Sequence, residues 1–164
     1  MSKKSGFTIP HKQKLADETL VKETRSKADD GDANAMWRLG LWYGSGMKGL
    51  AKDMAQSRAW YERSAATRDT RGMALFGWCL LLGVGGPKDI GFGLVNVTEA
   101  AGLGSDVGAY FLGEAFFKGT SGLPKDPARA RYWLKKLVDG ECTHKHLTDS
   151  AKAEAAEWLR ALGE

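Results

Sequence analysis

The chain has 164 residues, 43% of them apolar and 27% charged, enough for one well-filled globular domain with no need of a second. Its formal charge of +4 comes from a leading stretch where Lys3, Lys4, Lys12 and Lys14 face no carboxylate; the remaining basic residues equal the 20 acidic ones. A balanced body argues against the basic footprint of a nucleic-acid-binding protein, and no run of about 18 apolar residues offers a membrane span.

Residues 1–12 read as a flexible basic tail that includes His11. The tail holds no apolar run of signal-peptide length, so the protein is expected in the cytoplasm. Cys79 and Cys142 fall at different places in the pattern described below and read as reduced thiols, which agrees with that compartment. The folded domain is expected over 13–164, opening with a lone helix at 13–28 that stops at Gly31.

From there a block of about 37 residues occurs three times, and such self-similarity announces stacked helical hairpins. Leu39-Gly40 returns as Phe76-Gly77 and Leu112-Gly113. Six residues after each glycine stands another, Gly46, Gly83 or Gly119, and further on come Lys52-Asp53, Lys88-Asp89 and Lys125-Asp126. Met36, Leu39, Gly40 and Tyr43 share one helical stripe, repeated by Met73, Phe76, Gly77 and Leu80 and by Ala109, Leu112, Gly113 and Phe116. A glycine inside a helix costs roughly 1 kcal/mol against alanine, so its return at one register predicts a close neighbouring backbone.

After each first helix the chain breaks at glycine-rich turns, and Asp53, Asp89 and Asp126 are placed to cap the helix that follows. Pro127 suits the first position of its helix. The second helices carry Ser57, Trp60, Tyr61 and Ser64 in the first unit and Ala130, Trp133, Leu134 and Leu137 in the third. The middle unit is weaker: Gly93, Asn96, Val97 and Ala100 hold those places, the large aromatic is missing, and Gly91 and Gly93 loosen the helix. The units run over about 28–65, 66–101 and 102–138, and a capping helix at about 148–162 lines up Ala151, Ala155, Trp158, Leu159 and Leu162. Before it, Cys142, His144 and His146 resemble a fragment of a metal site, but a structural zinc takes four ligands and no second cluster is near, so they read as a solvated loop.

Taken together, Leu-Gly with an aromatic three residues on, the Gly-x-Gly turn, Lys-Asp, a further aromatic and the Ala-Ala exits at Ala65-Ala66 and Ala100-Ala101 resemble the Sel-one-like repeat, a relative of the tetratricopeptide repeat. The resemblance covers residues 28 to about 138. It implies an all-α fold, a right-handed α-α superhelix of three helix-turn-helix repeats between capping helices. It further implies an adaptor that holds other proteins together. The chain departs from the pattern at Gly93 and Asn96, and at Arg68, which stands where Gly31 and Gly104 stand in the other inter-unit turns; local irregularity of the second unit is the expectation.

In such solenoids the first helices line the concave side, and the positions lying off the core stripe there are candidates for contact with a protein or peptide partner. These are Trp37 and Leu41 on the first, Trp78 on the second, and Tyr110 and Glu114 on the third, with Asn34 and Arg71 adding polar groups. The competing reading is that the rings pack between units. No catalytic residue, cofactor or metal is expected: Cys79 reads as a buried inert thiol, and Gly83-Val-Gly-Gly-Pro-Lys-Asp lacks the Lys-Ser/Thr ending of a phosphate loop. A self-associating oligomer, an end unit stacking on a second copy, is the alternative. A hydrolase of the cysteine-rich, β-lactamase-like branch ranks last, since the paired cysteines are missing.

Overall fold

The computed structural model describes residues 11–163. These form α1 (His11–Asp29), α2 (Ala33–Ser45), α3 (Met54–Ala66), α4 (Thr70–Leu82), α5 (Ile90–Gly102), α6 (Asp106–Lys118), α7 (Pro127–Val138) and α8 (Asp149–Ala161). No strand occurs among the described residues, only an isolated bridge between Ser105 and His144. Residues 1–10 of the expected tail lie outside the described part, while His11 and Lys12 already belong to α1.

Local chemistry sets where each helix from α2 onward begins. Asp53, Asp89 and Asp126 cap α3, α5 and α7, each carboxylate accepting a backbone N–H of the first turn. The same device opens the first helix of each unit, with Asp32, Asp69 and Ser105 accepting from Asn34 and Ala35, from Gly72 and from Gly108. At the other end Gly46, Gly83 and Gly119 take the left-handed conformation that closes α2, α4 and α6.

Each unit is a hairpin crossed at its recurring glycine. A Cβ on Gly40 would lie 2.5 Å from the Tyr61 ring, one on Gly77 2.6 Å from Val97 Cγ2, and one on Gly113 2.6 Å from Leu134 Cδ2. The expected close neighbouring backbone is present at Gly77, with Gly93 O at 2.8 Å and Val97 N at 2.9 Å, whereas Gly40 and Gly113 chiefly receive side chains, and the second-helix partner sits at one register in all three. The hairpins then stack. Each of α2, α4, α6 and α8 touches the next, whereas α3, α5 and α7 touch no other member of their own row. Helices in the touching row are packed more tightly, so the array curves toward them and they form its inner layer.

Two expectations need correction. The middle unit is regular: α5 spans 13 residues, as α3 does. Gly93 earns its place at the crossing, where a Cβ would lie 2.9 Å from the Gly77 carbonyl oxygen. Arg68 adopts φ 62°, matching the left-handed turn residues Gly31 and Gly104, so the inter-unit turn keeps its form with an arginine in it. The segment before α8 is also more than a solvated loop. His144 N–H donates to Gly104 O and Asp106 N–H to His144 O, while buried Asp106 Oδ2 accepts from the N–H groups of His146 (2.7 Å) and Leu147 (2.9 Å). These bonds dock the final helix on the third unit.

Candidate functional site

The inner row carries the candidate residues, and the structure sorts them into three groups. At the α2 end, the Trp37 ring is half-buried beneath the Arg71 guanidinium, 3.7 Å away, and its Nε1 donates to Asn34 Oδ1 at 3.2 Å. Such a stack over an indole holds the guanidinium while its N–H groups stay directed outward. Burial lowers the Arg71 pKa, with Asp106 and Asp69 opposing that shift through their charge.

The second group forms a cleft. Leu41 is exposed and shares a cavity of 220 Å³ with Met54, Tyr61, Trp78 and Val84. Trp78 also walls a neighbouring cavity of 410 Å³, where it stacks on Phe111 (centroids 5.9 Å apart, 24° between planes) beside Leu81 and Leu82. Glu114 stands on the rim of that second cavity, paired with Lys118 at 2.7 Å. One indole thus joins two neighbouring, mainly apolar hollows, of which the larger has Glu114 and Lys118 on its margin. Such a place takes up an apolar side chain while polar atoms at the rim fix its orientation.

Tyr110 forms the third group by itself. Its ring lies 5.3 Å from that of Trp158 and its hydroxyl donates to Glu154 Oε2 at 2.8 Å. Burial, followed by that hydrogen bond, raises its pKa. The ring is thus engaged with α8, a contact in keeping with the packing reading. Phe111 belongs to the cleft and was missed, because it sits one register beyond the two positions compared along the first helices; Arg38 and Leu75 hold that register elsewhere.

Both thiols lie in the interior. Cys79 is fully buried and its thiol is pushed up to about 11 by desolvation, so it stays protonated near neutral pH. Cys142 is buried with its Sγ 3.8 Å from Lys136 O, while His144 and His146 are exposed. Among the described residues no group of three His, Cys, Asp or Glu side chains is placed to hold a metal ion, and no helix is long and apolar enough to cross a membrane.

The Sel1 repeat family matches residues 33–66, 71–105 and 107–140. A crystal structure of a Sel1 repeat protein from Oxalobacter formigenes is similar at a TM-score of 0.60 and 28% identity, covering 84% of this chain and 98% of that one. The fold is also that of c5321, a protective antigen of uropathogenic Escherichia coli displaying an SLR fold, at a TM-score of 0.63 and 23% identity over 86% of this chain and 33% of that one. Among curated proteins, the Arabidopsis thaliana ERAD-associated E3 ubiquitin-protein ligase component HRD3A is 34% identical over 59 residues, which is 36% of this chain and 9% of that relative's length.

Proposed function

Because the chain belongs to the Sel1 repeat family, matched over more than half of its length, we propose that it is a protein-interaction scaffold binding a protein or peptide partner on its inner helices. The observation that carries this reading is the paired cavity at Trp78, an apolar cleft on the layer where successive units meet side by side. An anchoring side chain of the partner fills the hollow between Trp78 and Phe111, and Asn34, Arg71 and Glu114 give polar contacts along the same layer. Rigid display supports affinity here. The solenoid holds these side chains before binding, so little ordering entropy is lost on association. The Arabidopsis relative is by its name one component of a ligase, a role within an assembly. In this reading the protein works in the cytoplasm with no cofactor and no reaction of its own.

The test compares capture of proteins from the source cell by the wild-type chain, by Trp78→Ala and by Leu82→Glu, which sets a charge at the exposed rim. Partners held by the wild type should fall by more than about tenfold in both variants, as for an interface hot spot, with far-ultraviolet circular dichroism unchanged. Full retention of the captured proteins by both folded variants overturns the assignment. So does turnover of a metabolite with no protein enriched.

A further inference from the structure

The inner layer is not evenly charged along its length. α2 and α4, of 13 residues each, contain no acidic residue, and their only charges are Arg38 and Arg71. Both guanidiniums gather on one ring: Arg71 Cζ lies 3.7 Å and Arg38 Cζ 5.7 Å from the centroid of Trp37. Among the described residues no ion pair includes either arginine, and each meets the indole instead.

The acidic groups whose charge reaches Arg71 are turned to the chain itself. Asp69 Oδ1 accepts from Gly72 N–H at 2.7 Å and from the Ser64 hydroxyl at 3.3 Å, and Asp106 is buried with its Oδ2 accepting from the final segment. Farther along the layer Glu114 pairs with Lys118, and Glu154 accepts from the Tyr110 hydroxyl. The α2 and α4 side thus offers donors without a free acceptor. Burial is the largest influence lowering the Arg71 pKa, and the charge of Arg38 lowers it further. An anion set between the two guanidiniums relieves that repulsion.

We propose that the partner of the inner cleft is an acidic peptide in extended form, which sets an Asp or Glu carboxylate against Arg38 and Arg71 and a large apolar side chain in the hollow between Trp78 and Phe111. This rests on the reading of the cleft given above and adds charge and spacing to it. Arg71 and Trp78 are two helical turns apart on α4, so they share one face at a separation of about 10 Å. Leu75, half-buried on the same face, forms an apolar floor between them. An extended chain covers about 10 Å in three residues, so acid and anchor stand at positions i and i+3 of the peptide, in either order. The guanidinium fork suits a carboxylate, since parallel N–H groups meet both of its oxygens. Stacking on Trp37 fixes the plane of the Arg71 fork before binding.

Selection of a random library of short displayed peptides on the immobilised wild-type chain tests this, followed by fluorescence anisotropy with the enriched sequence made synthetically. Enriched sequences should carry Asp or Glu three residues from Leu, Met, Phe or Trp. Replacing the acid of the peptide by its amide should weaken binding by at least about tenfold at low salt, and added salt should weaken the acidic peptide far more than the amide one. The double variant Arg38→Gln/Arg71→Gln should lose the preference for the acid and keep that for the apolar side chain, and Trp78→Ala should do the reverse. The amide peptide and the salt series use the wild-type chain alone, so they read the contact even where a variant fails to fold. Apolar anchors enriched without an acid, or equal binding of acid and amide peptides, would overturn the acidic assignment and leave the cleft reading standing. Failure of every enriched peptide to depend on Trp78 would overturn both. Tighter binding of a single-stranded oligoribonucleotide than of the acidic peptide would also overturn the assignment, giving the guanidiniums to phosphate.

Discussion

The first and middle units reach the same hairpin by different side chains. In the first, Trp60 is buried in a cluster with Ala28, Met36, Leu39 and Trp42, with the Arg63 guanidinium 4.2 Å above its ring. At the matching place in the middle unit stands Asn96, whose Nδ2 turns back to Phe92 O at 2.9 Å. The aromatic has moved one helical turn earlier, where Phe92 meets Phe76 edge-on at 6.1 Å while Gln56 holds that register in the first unit. The hairpin crossing compensates. Gly77 and Gly93 let α4 and α5 approach backbone to backbone, where Gly40 instead receives a tyrosine ring. A unit of this fold can therefore be filled by a large ring or closed by a pair of glycines, and the solenoid accepts both.

Importing the middle unit's residue into the first breaks this equivalence most severely. Trp60→Asn should cost about 3–5 kcal/mol, the range for emptying a large buried aromatic site, because Gly40 alone does not bring α2 and α3 close enough to fill the space. The loss should reach α1, whose Val21 and Ala28 pack in the same cluster. Guanidinium unfolding gives the magnitude, and hydrogen exchange across residues 11–29 gives its spread. A loss under ~1 kcal/mol would mean that the ring is not what fills the first unit.

The glycines themselves sharpen the comparison at a smaller scale. Gly77→Ala sets a methyl 2.8 Å from the Gly93 carbonyl oxygen and 2.9 Å from Val97 N, backbone atoms that move only with the helix. Gly40→Ala meets chiefly ring atoms of Tyr61, which a rotamer change can relieve. Overpacking of this kind costs roughly 1–3 kcal/mol and at times more, so Gly77→Ala should fall near the upper end and Gly40→Ala near the lower. Equal losses in urea unfolding would remove the distinction between the two crossings.

Periodicity explains why so much of this was legible beforehand. Leu39, Gly40, Phe76, Gly77, Leu112 and Gly113 recur at one register because each hairpin must bury the same face against the next, and all six are buried. What a single-helix pattern does not carry is the identity of the neighbour across a gap. Phe111 was missed for that reason: its place against Trp78 depends on how α4 and α6 lie together. Gly93 was read as a weakness because propensity sees only its own helix, whereas its cost is set against a crossing supplied by α4. Tyr110 matches Trp37 in register, and each is covered by the next helix of the inner row, Tyr110 by Trp158 and Glu154 of α8 and Trp37 by Arg71 of α4, which a single-helix pattern does not show.

The smallest effect concerns the turn between the two units compared. Arg68 holds φ 62°, a conformation that costs a residue with a Cβ roughly 1 kcal/mol and that Gly31 and Gly104 adopt freely. Arg68→Gly removes that strain, loosens the unfolded chain, and deletes the ion pair with Glu99. The pair is largely exposed, 68% at the arginine and 40% at the glutamate, so its loss is worth well under ~1 kcal/mol. The net should be a gain of about 0.5 kcal/mol, read as a slightly higher melting temperature. A variant that lost stability would show that the ion pair, rather than the backbone, sets this turn.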